Sequence, residues 1–493
     1  MHYVSTRDAD RRLTASEAIV EGLSRDGGLY LPEQIPQITL AQIEALAKLP
    51  YPQRAAKLMK LYLDEFTEEE LLGFAEKAYG PEKFDTPAAA PVVNPEAGVY
   101  VQELWHGPTC AFKDMALQML PYLLTASLQK TGEKKTVCIL VATSGDTGKA
   151  ALEGFRDVDR TKILVFYPKD GVSDIQKLQM VTQEGGNTGV CAVIGNFDDA
   201  QTGVKRIFSD PVLRERLAAD GKLLSSANSI NWGRVLPQIV YYISAYCDLL
   251  ASGAIRMGEK IDFCVPTGNF GNILAAYYAK RMGLPVGKLI CASNSNDVLT
   301  EFICTGVYDR NRPFHATMSP SMDILISSNL ERLLYLLSGS DEDVRGYMRQ
   351  LSETGRYAVT PELHAKIQES FACGCCDEAS TAETIGRVFK ERSYLIDTHT
   401  AVAWNVLEQF RRESGSRSMS VVVSTASAFK FCASVLTALG VEKQAEGTQI
   451  LRQLSETAGC PVPKPLAALD GKKIRFTKAV QKTEMADAVM ELL

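Results

Sequence analysis

Short apolar runs alternate with glycine-rich loops and amphipathic stretches over the middle of the chain. Such runs occupy Thr136–Ala142 (TVCILVA), Lys162–Tyr167, Val190–Ile194, Ile261–Val265 and Lys288–Ala292. Continuous rather than alternating hydrophobicity indicates strands that are covered on both faces. The repetition of strand, loop and helix predicts βαβ units and a mainly parallel sheet, and hence an α/β fold. Ligands of such sheets bind at the carboxyl ends of the strands, where these glycine loops fall.

Helical periodicity dominates the chain before this region. Apolar residues recur with helical spacing at Ser16–Leu23, Leu40–Leu49 and Gln53–Leu63. A further helix is expected after Thr67, because Thr67 and Glu70 have the spacing of a capping box. We therefore predict a helical N-terminal domain over residues 1–90, ending in a Pro- and Ala-rich linker at Thr86–Pro95.

The strand pattern stops at about residue 305 and returns late. Helices are expected at Met322–Leu337, Asp341–Gly355 and Pro361–Phe371. Met419–Val423 (MSVVV) then has the pattern of another buried strand. We therefore predict a helical insertion at 305–392 within an α/β core formed by 91–304 and 393–460, and a C-terminal segment at 461–493.

Composition narrows the classes of function. The chain has 493 residues, enough for two or three domains, and a formal net charge of −6 without an extended basic stretch. Nucleic acid is therefore not an expected partner. No apolar run reaches the ~20 residues that a membrane span needs. Twelve scattered cysteines and an N-terminus unlike a signal peptide favour free thiols in a cytoplasmic protein.

The stretch His106–Asp114 (HGPTCAFKD) places one lysine, Lys113, just ahead of a long apolar run. Burying an ammonium group is costly, so this position requires an explanation. Lys113 could begin a helix and extend its amine to water, which is the favoured interpretation of this stretch alone. Alternatively, a desolvated amine of lowered pKa would be ready to form a Schiff base with an aldehyde cofactor.

Three polar loops follow or adjoin predicted strands. Thr143–Gly148 (TSGDTG) leads from a strand into a helix, and Pro266–Asn272 (PTGNFGN) does the same. Their glycines and helix N-termini suit an anion, although an ordinary capped turn is the alternative for each. In Ser225–Arg234, Arg234 is suited to grip phosphate or carboxylate, or else caps a neighbouring helix. Pro266–Asn272 is the most phosphate-like, since its two glycines and two asparagines suit a nest of N–H groups.

Other chemistries lack their motifs. Cys373–Cys376 (CGCC) has no metal-ligand spacing, and the five histidines form no H-E-x-x-H pattern, so we expect no metal site. No G-x-S-x-G motif is present. One special lysine and two or three anion-suited loops together favour pyridoxal 5′-phosphate (PLP), which needs a Schiff-base lysine and a phosphate cup.

These motifs, in this order, resemble the threonine synthase family, PLP enzymes of fold type II related to tryptophan synthase β. The resemblance rests on residues 3–7 with 17–19 and 26–30, on the Lys113 stretch, and on SGDTG, SANSINWGR, PTGNFGN and Ser319–Ile324 (SPSMDI). It implies two open, mainly parallel sheet subdomains, a helical N-terminal domain and a helical insertion. The length and N-terminus resemble the bacterial and fungal branch, which implies a monomer or weak homodimer.

The resemblance also implies roles for individual residues. Lys113 would carry the cofactor and then move protons, Thr425 would face the pyridine nitrogen, and Asp146 would approach the 3′-oxygen. The phosphate cup would be formed by the backbone of Gly268, Asn269, Phe270, Gly271 and Asn272. The substrate anion would be bound by Ser144, Thr147, Asn228, Ser229 and Arg234. Two features depart from the family pattern: Ser427-Ala428 stand where His-Pro is usual, and Pro121 predicts a kink or late start in the helix after Lys113.

The activity implied is that of a PLP-dependent carbon–oxygen lyase acting on a phosphate ester. It would convert O-phospho-L-homoserine and water into L-threonine and phosphate, by γ-elimination followed by addition of water at Cβ. Two alternatives stay open. A threonine-synthase-like phospho-lyase would release 2-oxobutyrate instead, and a non-catalytic protein would only bind phosphometabolites.

Overall fold

The computed structural model describes residues 1–492, and its first part combines four helices with a small antiparallel sheet. The elements are β1 (Tyr3–Ser5), β2 (Asp8–Leu13), α1 (Ala15–Glu21), β3 (Tyr30–Pro32), α2 (Leu40–Ala47), α3 (Tyr51–Lys60) and α4 (Glu68–Tyr79). The predicted helices are confirmed, and Thr67 and Glu70 form the expected capping box. The strands were not predicted, because three-residue strands are too short for a periodic pattern and β2 is mostly charged.

The central region contains the predicted alternation of strands and helices. Its strands are β4 (Val92–Glu96), β5 (Val99–Glu103), β6 (Thr136–Ala142), β7 (Thr161–Pro168), β8 (Thr188–Ile194), β9 (Lys222–Ser225), β10 (Ile261–Pro266) and β11 (Val286–Ser293). Its helices are α5 (Asp114–Leu117), α6 (Leu120–Lys130), α7 (Asp146–Gly154), α8 (Asp174–Val181), α9 (Phe197–Ser209), α10 (Pro211–Ala219), α11 (Trp232–Ala251), α12 (Gly271–Arg281) and α13 (Val298–Thr305). Each of the five apolar runs singled out here forms a strand.

The remainder is mainly helical, with strands that return to the core. Its strands are β12 (Val307–Asp309), β13 (Arg356–Ala358), β14 (Phe371–Cys375), β15 (Ser420–Ser424) and β16 (Ala479–Gln481). Its helices are α14 (Leu330–Ser338), α15 (Asp341–Thr354), α16 (Pro361–Ser370), α17 (Glu378–Arg392), α18 (Thr398–Ser414), α19 (Cys432–Ala438), α20 (Gln449–Ala458), α21 (Lys464–Ala467) and α22 (Met485–Leu492). The helix predicted from Met322 begins only at Leu330, after a short 3₁₀ turn at Pro320–Met322.

Two sheets organise the core. One has the order β16-β8-β7-β6-β9 and is parallel throughout. The other has the order β14-β11-β10-β15-β5-β4 and is parallel except for the edge pair β4–β5. The late strand β15 therefore lies inside the second sheet, between β10 and β5. This position confirms that the core contains a strand from the chain after the predicted insertion. The linker prediction is wrong over residues 92–95, because they belong to strand β4, which pairs with β5.

The helical stretch after Lys113 is interrupted, and its second helix starts late, as Pro121 predicts. Helix α5 ends at Leu117, and α6 begins at Leu120 with Pro121 in its first turn, where the missing N–H costs nothing. Proline therefore separates two helices here. Among residues 1–492, no helix is long and apolar enough to cross a membrane.

The start of α14 connects the N-terminal elements to the core. The Arg7 guanidinium binds both carboxylate oxygens of Glu331, at 2.7 and 2.8 Å. Arg332 is fully buried and donates to the Tyr30 carbonyl at 2.9 and 2.7 Å. Asn329, three residues earlier, donates to the Asn269 carbonyl at 3.0 Å. The N-terminal elements thereby help to position the loop between β10 and α12.

Candidate active site

A single cleft lies at the carboxyl ends of the strands and collects most of the predicted site residues. It contains about 870 Å³ of empty space, part of it open to solvent, which is within the usual size of small-molecule sites. All of the predicted residues except Asp146 line it, namely Lys113, Ser144, Thr147, Asn228, Ser229, Arg234, Gly268, Asn269, Phe270, Gly271, Asn272 and Thr425. Asp146 lies behind the cleft wall, in contact with Ser321, which does line it.

The loop that carries Lys113 is held by hydrogen bonds on both sides. The buried Asp114 carboxylate accepts from the Thr109 N–H at 2.8 Å and from its hydroxyl at 2.7 Å. The Phe112 N–H donates to the Thr425 carbonyl at 2.8 Å, and the Ser427 N–H donates to Cys110 at 3.1 Å. The departure at Ser427-Ala428 therefore leaves Thr425 in the cleft, because the backbone of its loop pairs with the Lys113 loop.

Lys113 does not extend its amine to bulk water. The side chain is only 8% exposed, and its Nζ donates to the Ser321 hydroxyl at 3.4 Å. The pKa of Lys113 is lowered to about 8, mainly by burial and to a smaller extent by the cations Arg234 and Lys430, while the Asp146 carboxylate opposes the shift. A buried amine of lowered pKa is the state that nucleophilic catalysis requires.

We predict that Lys113 of the protein without cofactor becomes reactive with a midpoint near pH 8. Below this pH the amine is protonated, and above it the free amine attacks, whereas an ordinary lysine titrates near 10.5. Competitive acetylation across pH, read by peptide mass spectrometry, measures this midpoint. The exposed Lys57 is the internal control. A Lys113 midpoint equal to that of Lys57 would contradict the prediction.

The Pro266–Asn272 loop forms a nest at the N-terminus of α12. Phe270 has φ 61°, a left-handed conformation that is unusual for a bulky residue, and its ring packs against Phe371 at 5.6 Å. The carbonyl oxygens of Gly268 and Asn269 are already occupied, because the Ser327 hydroxyl and the Asn329 side-chain amide donate to them. The loop N–H groups and the helix dipole are thereby available to an anion.

Gly268 also has a steric reason to be glycine. A Cβ at this position would lie 2.6 Å from the Ser321 carbonyl oxygen, a backbone atom. Ser321 is in turn close to Lys113. Ser321 therefore lies close to both the nest and Lys113. Its backbone leaves no room for a side chain at residue 268.

Asp146 is paired with a lysine that the sequence did not indicate. Lys430 is fully buried, and its Nζ lies 2.6 Å from Asp146 Oδ1 and donates to the Thr109 carbonyl at 2.9 Å. Gln176 donates to the same carboxylate at 2.8 Å. Burial alone would raise the pKa of Asp146, but the ammonium groups of Lys430 and Lys113 hold it below the usual range. Asp146 is therefore a fixed negative charge beside Lys113.

The Thr143–Gly148 loop turns two hydroxyl groups toward the cleft. Thr143 Oγ1 accepts from the N–H groups of Gly145 and Gly148, both at 2.9 Å, and so closes the turn. Gly145 has φ 135°, which a residue with a Cβ rarely adopts. Ser144 and Thr147 then line the cleft.

Arg234 presents a buried cation to the cleft. It is 2% exposed, and one nitrogen, Nη1, donates to the Ala227 carbonyl at 3.0 Å. Its Nε has no protein partner among residues 1–492, and neither has the buried Oδ1 of Asn228. Burial lowers the pKa of Arg234 to about 10, so the group remains charged at neutral pH. A buried guanidinium with donors to spare suits an anionic ligand.

The sequence predicted no role for two cleft residues: His399 lies in no motif, and Ser321 lies in the SPSMDI stretch, which entered only through the family resemblance. His399 Nε2 accepts from the Ser321 N–H at 3.2 Å, while Nδ1 lies 2.9 Å from the buried Asp397. The N–H donated to Nε2 places the ring proton on Nδ1, facing Asp397. His399 therefore positions Ser321, whose hydroxyl lies 3.4 Å from both Lys113 and Asp146. No sequence spacing relates residue 399 to residue 321.

Two protein families match successive parts of the chain. Residues 2–79 match the family described as threonine synthase N terminus. Residues 81–368, more than half of the chain, match the family described as pyridoxal-phosphate dependent enzyme. Threonine synthase-like 1 of Homo sapiens is 40% identical over 460 residues, which are 90% of this chain and 61% of that protein. The chain thus spans about three-fifths of the length of that relative.

Two further relatives are matched over nearly their full lengths. Threonine synthase of Saccharomyces cerevisiae is 36% identical over 464 residues, 89% of each protein. The crystal structure of PLP-bound threonine synthase from Brucella melitensis has a TM-score of 0.87 at 38% identity, covering 100% of this chain and 99% of that chain. With these identities, and with the two-sheet α/β architecture of PLP fold type II, the chain belongs to the threonine synthase family of pyridoxal-phosphate dependent enzymes.

Proposed function

We propose that this protein is a threonine synthase, which converts O-phospho-L-homoserine and water into L-threonine and phosphate. The observation that carries the proposal is the place of Lys113 in the cleft. Its buried amine lines the same cleft as the N–H nest of Gly268–Asn272 and the buried cation of Arg234. One lysine and two anion-suited positions in one cleft fit a phosphorylated cofactor together with a phosphorylated substrate.

The residues present fit PLP. Lys113 would hold the cofactor aldehyde, the Gly268–Asn272 nest would bind its phosphate, and Thr425 would face its pyridine nitrogen. The nest and Lys113 line the same cleft, and Ser321 lies close to both. When bound, PLP supplies an electron sink that stabilises a carbanion next to the substrate amino group.

The chain's own residues would then position the substrate and move protons. Lys113, whose free-amine form is more accessible than that of an ordinary lysine, would take the Cα proton and later deliver a proton at Cγ. Asp146 would remain ionised and fix the position of Lys113 through Ser321. The hydroxyl groups of Ser144 and Thr147 and the side chains of Asn228, Ser229 and Arg234 would bind the substrate's phosphate or carboxylate.

Replacement of Arg234 should weaken substrate binding more than it slows turnover. A charge-assisted hydrogen bond contributes about 1.5–3 kcal/mol, so Arg234→Gln should raise KM for phosphohomoserine by roughly 10- to 100-fold. Steady-state kinetics on the PLP-loaded variant measures this change. Arg281→Gln, a change in a residue of α12 that does not line the cleft, is the matched control. An unchanged KM in Arg234→Gln would contradict the assignment of Arg234.

The product distinguishes this proposal from its main rival. The 40% identity to Threonine synthase-like 1 is consistent with a second candidate, a phospho-lyase that releases 2-oxobutyrate from the same substrate. We expect purified, PLP-loaded protein to release threonine and phosphate in equal amounts from phosphohomoserine. Release of 2-oxobutyrate with phosphate would support the rival. If neither threonine nor 2-oxobutyrate forms, the result would support a protein that only binds phosphometabolites.

The family resemblance supports the assembly, and the composition of the chain supports the compartment. We propose a cytoplasmic monomer or weak homodimer with a small-molecule substrate. Sedimentation velocity across a range of protein concentrations measures the assembly. A stable tetramer at low concentration would contradict it.

A further inference from the structure

Two cysteine thiols lie against each other outside the cleft. Cys304, in the last turn of α13, and Cys373, on β14, have their sulfur atoms 2.8 Å apart across 69 residues of sequence. Cys304 is exposed and Cys373 is half-buried. Neither residue lines the cleft. Cys375 is also on β14 and exposed, but it has no such thiol contact in the described part of the chain.

The elements that carry the two thiols are already held together. Thr300, one helical turn before Cys304, donates to the Gly374 carbonyl at 2.9 Å, and its hydroxyl oxygen lies 3.0 Å from that of Ser293. Strand β14 pairs in register with β11, with Cys373 opposite Cys291. Both backbones are therefore fixed. A disulfide has an S–S length of about 2.05 Å, so the sulfur atoms need to approach by less than about 1 Å.

We propose that Cys304 and Cys373 are a site of oxidative modification, at which a hydroperoxide forms a disulfide between α13 and β14. The exposed Cys304 sulfur attacks the peroxide, forming an S–O bond and breaking the O–O bond, and the alkoxide takes the thiol proton. Cys373 sulfur then attacks the Cys304 sulfur, forming the S–S bond and breaking the S–O bond, and the leaving hydroxide takes the Cys373 thiol proton and departs as water. In total, two thiols are oxidised and one peroxide is reduced to an alcohol and water.

The positions of the two cysteines determine which thiol reacts first with the peroxide. Burial and the neighbouring Cys304 raise the pKa of the Cys373 thiol, so Cys373 is poorly ionised and reacts second. Cys304, at the surface, meets the oxidant first. Because Cys373 already touches Cys304, disulfide formation should outpace further oxidation of Cys304 by peroxide.

The test uses the full-length, PLP-loaded protein treated with a small excess of tert-butyl hydroperoxide. We expect the loss of two titratable thiols and a cross-link between tryptic peptides 289–310 and 367–387, seen only without reductant. Fragmentation assigns the bond, since these peptides also contain Cys291, Cys375 and Cys376. The thermal midpoint of the oxidised protein should rise by about 2–4 °C, because the bond closes a long loop.

Matched variants keep the proposal falsifiable. Cys304→Ser should abolish the cross-link, whereas Cys375→Ser should retain it. The proposal is overturned if Cys304 accumulates as sulfinic acid while Cys373 stays reduced, or if the bond joins Cys375 instead. Since the readout is a covalent bond, it is independent of the reaction proposed for the cleft.

Discussion

Lys113→Ala should lose at least about 1,000-fold in turnover of phosphohomoserine while keeping its fold. The loss is expected because one amine would both anchor the cofactor and transfer protons, and each of these roles is worth several orders of magnitude. Truncation of the side chain leaves the loop intact, since Asp114 and Thr425 hold its backbone. Product formation over time, with circular dichroism as a check of folding, measures the effect.

The same variant tests the covalent role of Lys113 directly. Wild-type protein should be yellow with PLP, and borohydride should fix the cofactor on the peptide that contains residue 113. Lys113→Ala should retain no cofactor after borohydride and denaturation. Lys57→Ala, a change in an exposed lysine of the N-terminal helices, is the control that should retain both colour and turnover. Full turnover by Lys113→Ala would contradict the assignment of the cleft.

Lys430→Met should destabilise the protein by about 3–5 kcal/mol, because it leaves the buried carboxylate of Asp146 without its cation. It also removes the donor to the Thr109 carbonyl, in the loop before Lys113. Since the paired Asp146 has a lowered pKa, the stabilisation by this pair is complete above pH 3.8, the carboxyl's ordinary pKa, and is lost as pH falls further. Denaturant unfolding at pH 7 measures the loss.

A double variant separates the structural effect from the functional one. Lys430→Met combined with Asp146→Asn removes both charges, and replacing a buried pair by neutral groups is often nearly neutral for stability. We expect the double variant to recover most of the stability while turnover stays at least about 10-fold low, because Lys113 then lacks its negative neighbour. Recovery of full turnover would show that the pair acts on stability alone.

The sequence was most informative where local signals agree with the final fold. Continuous apolar runs such as Thr136–Ala142 predicted buried strands because only buried strands are apolar on both faces. Capping residues predicted α4, and Pro121 predicted a late start for α6. Short, polar or edge elements such as β2 and β4 carry too few periodic positions, so their pairing depends on partners elsewhere in the chain.

The candidate site divides in the same way. The sequence by itself identified Lys113 and three glycine- or arginine-bearing loops near strand ends as candidates, because residue type, loop polarity and strand pattern are local properties. Only the tertiary structure decided that Lys430 neutralises Asp146 and that His399 holds Ser321. Ion pairs and hydrogen bonds act over a few ångströms in space, and the partners here are separated by 284 and 78 positions in the chain.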